Sequence, residues 1–559
     1  LSLEKFFVEK MFVMERPWFK SWPKDLPKSL DYPEVPIFTF LVNTARRVSK
    51  KKAIIFYGYE VTYGELNEWS DRFANALASM GVKKGDRVGL FLENCPQFIV
   101  AYYGALKAGA ILVPINPMFK EMEVESQLND SGTETLVTLD FLYPTIRNVR
   151  KNTELRNIIV TSYRDFLPEK PTLPTHISME YEKEKFPETI EFTELLKKYE
   201  AKPPKVSIEP KEDLALLQYS SGTTGEPKAA MITHYNAVVN IVGGVKWAKV
   251  VEDDVVLSVL PLFHVLGMQQ TMNCSIYMGN TIVLLSRFDL EAILKGVEMY
   301  KCTIMVSIAP IDQAIATYPY SKNYDLSSLR LCVSGGAPVP LSVFEKFKEV
   351  TGCELLEGYG LSETISQVAI NPLDRPKRGS VGIPVFDVDA KIVDIETGTR
   401  ELALGEEGEI IFKGPQVMKG YWNQPELTKA TIRDGWIYTG DIAKMDEDGY
   451  IYIVGRKKEM LIVSGYKVWA AEVEQLLKKH PAVYQAAIVG VPDPQLGERV
   501  KAYVVLRPDY KDRVTEEKLK EWSKRKMADY KCPKEIEFVN QLPKSGSGKI
   551  LKRMLTHKP

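Results

Sequence analysis

"LALLQYSSGTTGEPK", residues 214–228, runs from an apolar stretch straight into a polar loop. The first seven residues read as a buried strand. The remainder offers backbone N–H groups, the hydroxyls of Ser220, Ser221, Thr223 and Thr224, and the Lys228 ammonium. Gly222 and Gly225 permit tight turns in which successive amides face an anion, so the loop is suited to holding phosphates. It is not a Walker A loop, which needs GxxxxGK followed by Ser or Thr. Here Gly222 and Lys228 stand six apart and Ala229 follows the Lys. "PKSGSGKI" (543–550) fails the same test, with Pro543 in the first Gly position and Ile550 after Lys549.

On either side of this loop, short β-branched runs alternate with helical segments. "TYGELNEWSDRFANALASMG" (62–81) predicts a helix: Thr62 and Glu65 have capping-box spacing, and Leu66, Trp69, Phe73, Leu77 and Met80 recur every three or four residues before Gly81. A strand over 87–92, a helix up to Gly109 and a strand over 111–115 follow. "VVLSVLPLF" (255–263), "NTIVLL" (280–285), "CTIMVSI" (302–308) and "LRLCVSGG" (329–336) continue the alternation, which predicts sheets covered on both faces. The first 50 residues hold several Pro without a clear period and read as an arm. Residues 163–212, rich in Pro, Lys and Glu, read as a surface connection. After "YIYIVGRKKEM" (450–460) the pattern restarts at a smaller scale. A helix is expected near 471–479 with Val473, Leu476 and Leu477 on one face, then strands 486–491 and 501–506, a helix around Leu519 and Trp522, and strand 535–539. That is a small α+β unit.

Composition narrows the function classes. A chain of 559 residues is too long for one core and implies several subdomains. With 45% apolar and 26% charged residues it is of ordinary soluble composition. Lys plus Arg (73) balances Asp plus Glu (73), so no global field draws nucleic acid or an anionic membrane, and any anion site must be local. No run reaches the ~18 uninterrupted apolar residues of a membrane span. The six Cys (95, 274, 302, 332, 353 and 532) lack CxxC spacing, so no metal or disulfide framework is expected and a cytoplasmic location fits. Peripheral membrane contact and a homodimer both stay open.

The loop does not stand alone. "YSSGTTGEPK" (219–228), "SGGAP" (334–338), "GYGLSET" (358–364), "YTGD" (438–441), "GRKKE" (455–459) and "PKSGSGK" (543–549) occur in this order. Together they resemble the adenylate-forming superfamily and, within it, the AMP-forming acyl-CoA synthetases, from about residue 50 onward. The resemblance implies a luciferase-like α/β fold: a large N-terminal domain of stacked α/β subdomains (1–457) and a small, mobile α+β C-terminal domain (458–559). It also implies two half-reactions in one site. A carboxylate attacks the α-phosphate of ATP to give an acyl-adenylate and pyrophosphate, and the thiol of coenzyme A then displaces AMP. The first step brings an anion onto a polyanion, so neutralising charge dominates catalysis.

Carried over by position, Ser220, Ser221, Gly222, Thr223, Thr224, Gly225 and Lys228 hold the β- and γ-phosphates. Glu363 binds Mg2+, and Ser362, where Thr is usual, keeps a hydroxyl for the α-phosphate. Gly336, Ala337 and Pro338 frame the adenine, with Tyr359 between Gly358 and Gly360 stacking on it. Asp441 accepts from both ribose hydroxyls and Arg456 reaches the ribose from the other side. Lys549 spans the carboxylate and the α-phosphate. Lys458 is the hinge about which the small domain turns, and Gly465 lets the pantetheine arm of coenzyme A pass close to backbone. Two departures, Ala470 where Pro is frequent and Ala229 where Gly is frequent, touch no chemistry directly and bear only on the geometry of the thiol side.

The acid is read from "PLFHVLGM" (261–268). Amino-acid-activating relatives carry Asp after that Phe; His264 in its place disfavours an amine. Small apolar segments, Val306–Pro310 and Val333–Gly336, are expected to line the acyl pocket. The arm "WPKDLPKSLDYP" (22–33) is similar to arms of medium- and long-chain fatty acyl-CoA synthetases, which points to a fatty acid. An aryl or short-chain acid ligase and an enzyme loading a separate carrier protein are the alternatives.

Overall fold

The helix Tyr63–Ser79 starts at a reciprocal cap. The Glu65 N–H donates to Thr62 Oγ1 at 3.2 Å, and the Thr62 N–H donates to Glu65 Oε2 at 2.8 Å. Leu66, Phe73 and Leu77 are fully buried along its inner stripe, and Gly81 (φ +92°) ends the turn in a conformation that glycine adopts without strain. Each buried Leu or Phe of such a stripe contributes ~2 kcal/mol. In this computed structural model, which describes residues 16–220, 228–463, 466–493, 496–511, 513–544 and 550–556, the same logic builds four sheets.

Two large sheets share one core. In the first, the parallel strands Leu355–Leu361, Leu331–Gly335, Ile304–Ile308, Val255–Ser258, Thr281–Leu284 and Lys52–Phe56 lie side by side. In the second, the hairpin Leu214–Ser220/Lys228–Thr233 caps a parallel run through Ile111–Pro114, Arg87–Phe91, Thr135–Leu139 and Asn157–Thr161. Helices 63–79, 96–107 and 234–247 pack against these sheets and supply much of that core. Their continuous Val/Ile/Leu content is what strands covered on both faces require.

Strands Asp389–Val393, Gly408–Lys413, Ile432–Arg433, Trp436–Met445 and Ile451–Arg456 form an antiparallel third sheet. The fourth is the small α+β unit: strands Met460–Val463, Tyr466–Trp469, Val483–Asp493, Gly497–Leu506 and Glu535–Phe538, with helices Ala470–Leu477 and Glu516–Lys524 on it. Val473 and Leu477 are buried, whereas Leu476 is partly exposed toward the cleft described below.

Three expectations are corrected. The arm is not irregular throughout: Phe38–Arg47 is a helix that buries Phe40, Leu41, Thr44 and Ala45. The segment 163–212 is not only a surface connection, since Ile190–Glu191 adds an edge strand and Phe192–Lys198 packs its Phe192 ring against Phe73. The run 255–263 is strand only over Val255–Ser258, because Pro261 and the turn at His264 lead the chain into a helix.

Residues 22–32, ahead of the helix Phe38–Arg47, are pinned to the molecule's own surface. Trp22 packs edge-on against Trp247 (5.1 Å) and Phe386 (5.5 Å). Asp387, with φ +57°, accepts from the Tyr32 hydroxyl at 2.8 Å and the Leu30 N–H at 3.1 Å. Among the described residues no helix is long and apolar enough to cross a membrane, and all six cysteines are buried and free.

Candidate active site

The C-terminal ends of the first sheet's strands open onto a cleft of about 2970 Å3. Ligands of open parallel sheets bind at such ends. Lys228, His264, Gly336, Ala337, Pro338, Gly358, Tyr359, Gly360, Ser362, Glu363, Asp441, Arg456 and Lys458 all line it. Thus every expected nucleotide-side residue whose side chain is described reaches one cavity, whereas Ser307 and Ile308 of the expected acyl-pocket segment 306–310 do not line it. Ser220 is seen only as the backbone partner of Lys228, closing the hairpin. Ser221, Gly222, Thr223, Thr224, Gly225, Gly465 and Lys549 lie outside the described residues.

Strand Leu331–Gly335 ends at Gly336, whose φ of +76° is a glycine conformation, and the chain turns through Ala337 and Pro338. Glu357, 4% exposed, braces that turn by accepting from the N–H groups of Val339 (2.9 Å) and Gly379 (3.1 Å). Burial pushes its carboxyl up to about 7, partly offset by those two N–H donors. Two residues on, the Tyr359 ring stacks on Phe412 with centroids 5.8 Å apart, which leaves one face for a ligand ring. At Gly360 a Cβ would lie 1.8 Å from the Ser366 carbonyl oxygen, so only glycine fits. Gly358 is under no such constraint, its nearest contact being 3.4 Å. The tight return through Ser362 and Glu363 is made by Ile365 and Ser366 at φ +48° and +108°, a strained backbone of the kind that accumulates at functional sites.

Asp441 is the electrostatic centre of one wall. It is 4% exposed on strand Trp436–Met445, directly opposite Arg456 on Ile451–Arg456. Its Oδ1 meets Arg456 Nε at 3.1 Å, and its Oδ2 accepts from the Tyr359 hydroxyl at 2.5 Å. Burial and then the Asp441 charge hold the Tyr359 phenol far above its usual pKa, so it remains a donor. The Asp441 charge raises the Arg456 guanidinium further. Glu409, also buried, accepts from the Gly440 N–H at 3.0 Å and pairs with Lys457 at 2.9 Å, fixing the turn before Asp441.

The opposite wall carries Glu363. Its Oε1 accepts from the Tyr421 hydroxyl at 2.8 Å, and the Lys228 ammonium sits 5.9 Å from the centre of the Tyr421 ring. Tyr421 belongs to Gly420–Tyr421, which extends the sheet edge beside Lys228–Thr233. It therefore ties Glu363 to the end of the hairpin. Burial lowers the Lys458 pKa, and the positive charges of Lys228 and Arg456 lower it further. Lys458 thus faces a cationic part of the cleft. Val306, Ala309, Pro310 and Val333, with Val245 and Ala248, give the same cleft an apolar lining. His264 also lines it, its Nδ1 accepting from the Leu266 N–H at 3.3 Å.

Glu357, Glu409, Lys457 and Tyr421 were not singled out from the sequence. Glu357 could have been, as the lone acid in the apolar run "LLEGYG". Tyr421 carries no local signal, because its role arises from an edge pairing between distant segments.

A family model described as "AMP-binding enzyme" matches residues 41–422, and one described as "AMP-binding enzyme C-terminal domain" matches 472–549. The long-chain-fatty-acid–CoA ligase of Bacillus subtilis (strain 168) is 40% identical over 557 residues, covering 97% of this chain and 98% of that protein. The crystal structure of ATP-bound MatB from Rhodopseudomonas palustris superposes with a TM-score of 0.81 at 28% identity, over 93% of this chain and 98% of that one. The o-succinylbenzoate CoA synthetase of Bacillus subtilis, solved with its acyl-adenylate intermediate, gives 0.79 at 28% identity, over 94% and 99%. With its motifs gathered on one cleft and both family models met in order along its length, the chain belongs to the AMP-binding enzyme family.

Proposed function

We propose that the protein is an AMP-forming acid–CoA ligase whose substrate is a long-chain fatty acid. The observation that carries this reading is the continuity of the cleft: one cavity is lined both by Asp441, Arg456, Glu363 and Lys228 and by His264, Val306, Ala309, Pro310 and Val333. A nucleotide and an alkyl chain can then meet at their reactive ends. The substrate named for the Bacillus subtilis relative supports the alkyl assignment.

In this reading ATP lies with its adenine between the Gly336–Pro338 turn and Tyr359. Asp441 exchanges its internal partners for the ribose hydroxyls, and Arg456 holds the sugar from the adjacent strand. The Ser220–Lys228 segment takes the β- and γ-phosphates, and the Ser362 hydroxyl meets the α-phosphate. Among the described residues no group of three or more His, Cys, Asp or Glu could cage a metal. The lone Glu363 carboxylate fits instead a hard cation that keeps waters and leans on substrate phosphates. Mg2+ bound there would neutralise phosphate charge. Lys549 supplies the last positive charge between carboxylate and α-phosphate, and such an aimed donor is worth ~3 kcal/mol of barrier. Its flanks support this, since Lys544 and Ile550 both line the cleft. The small domain, from Lys458 on, then turns to admit the CoA thiol past Gly465. His264 offers no carboxylate for a substrate ammonium, in keeping with an unaminated acid. Six free, buried thiols fit a cytoplasmic location.

The test is nucleotide product analysis with ATP, Mg2+ and saturated acids of graded chain length beside aryl acids, with CoA present or withheld. AMP and pyrophosphate are expected, with acyl-CoA appearing only when CoA is added and the fastest turnover on long alkyl chains. Release of ADP would overturn the reaction, and a preference for aryl acids would overturn the substrate.

A further inference from the structure

Lys552 is a largely buried cation outside the machinery above. Its side chain is 16% exposed and sits between two carboxylates: Glu459, with which it forms a short ion pair, and Glu474 at 2.8 Å. Glu474, from helix Ala470–Leu477, is fixed in turn by the Ile488 N–H, which donates to its Oε1 at 2.8 Å. Burial works against the Lys552 charge, yet the Glu474 and Glu459 carboxylates outweigh it and raise its pKa. A buried cation held by two acids costs desolvation, so its presence is weak evidence for a purely stabilising role.

Its position gives it a task. The chain on either side of 545–549 is stitched together by the Lys544–Ile550 bridge and by the Leu551 N–H donating to the Pro543 carbonyl at 2.8 Å. Lys552 follows directly. On the other side of its ion pair, Glu459 adjoins Lys458, while Arg456 and Lys457 are tied to Asp441 and Glu409. The residues before Lys458 are thus anchored to the nucleotide wall, and the residue after it is anchored to the stem of the 545–549 segment.

We propose that Lys552 is a positioning residue for the adenylation half-reaction: by clamping the stem that leaves Lys549 to Glu459 and Glu474, it sets where that cation stands relative to the hinge. The inference rests on the role given to Lys549 under the proposed function. A clamp on this stem matters to the step that uses Lys549 and not to the step from which it is withdrawn. Displacing a catalytic group by 1 Å costs about 100-fold in rate.

The test reads two half-reactions on the full chain: pyrophosphate release from ATP with a saturated long-chain fatty acid, and thioester formation from supplied acyl-AMP and CoA. Lys552→Met should lower the first by about 10- to 100-fold and leave the second within about threefold, with Lys552→Arg recovering most of the loss. An equal fall in both, or no fall in the first, overturns the proposal. Should Lys552→Met fail to fold, Glu459→Gln, which leaves the Glu474 pair in place, takes its place in both assays: a fall confined to pyrophosphate release supports the clamp, and an equal fall in both or no fall in the first overturns it. Lys549→Ala separates the failures. Unimpaired adenylation in that variant overturns the role of Lys549 and this inference with it; lost adenylation there beside unimpaired adenylation in Lys552→Met overturns only the inference.

Discussion

Asp441 illustrates how a short motif becomes a site. In the sequence it is an acid after a glycine, a pattern that could merely terminate a turn. In the fold both of its oxygens are engaged, one by the Tyr359 hydroxyl and the other by the Arg456 guanidinium. A diol that enters must match this pair of interactions, so removing the charge should cost binding as well as rate. Asp441→Asn should weaken ATP by about 10- to 100-fold, as expected for loss of a charged hydrogen bond. Calorimetric titration checks this, and an unchanged dissociation constant would mean that the ribose lies elsewhere. Residues of this kind were legible through the ordered motifs that resemble the adenylate-forming superfamily. Their supports were less so: Glu409 and Lys457 hold the Gly440 turn from 31 and 17 residues away, a relation only the paired strands create.

Among elements, legibility followed periodicity and capping. The helix Tyr63–Ser79 announced itself through Thr62 and Glu65, whereas Phe38–Arg47, with apolar residues at Phe38, Leu41, Val42 and Ala45, was obscured by the prolines before it. The strands Met460–Val463 and Tyr466–Trp469 are four-residue runs, too short for period to distinguish strand from helix. The hairpin Leu355–Leu361/Ser366–Ile370 offers a test internal to one element. A methyl at Gly360 would collide with the Ser366 carbonyl, while one at Gly358 meets nothing closer than 3.4 Å. Gly360→Ala should therefore lower the thermal midpoint and adenylation together, and Gly358→Ala should leave the midpoint within about 2 °C. Equal midpoints for the two variants would refute the steric account.

At the scale of the whole molecule, the sequence conveyed the α/β class and the smaller C-terminal unit. It conveyed less well how the arm is used. Residues 16–33 are neither free nor merely draped, since Trp22 completes an aromatic cluster with Trp247 and Phe386. Trp22→Ala should destabilise the fold by ~3–5 kcal/mol, seen as a lower unfolding midpoint in urea or heat. A midpoint equal to that of the unaltered protein would mean that the cluster collapses without loss.

That cluster has a consequence beyond cohesion. Trp247 ends the helix whose Val245, with Ala248 just past it, belongs to the apolar lining of the cleft. The wall that Val245 and Ala248 lend to an alkyl tail is therefore propped from behind by Trp22 and the described residues around it. Trp22→Ala should therefore also alter the enzyme's taste in acids, shifting which tail length is favoured, under conditions mild enough for the variant to stay folded.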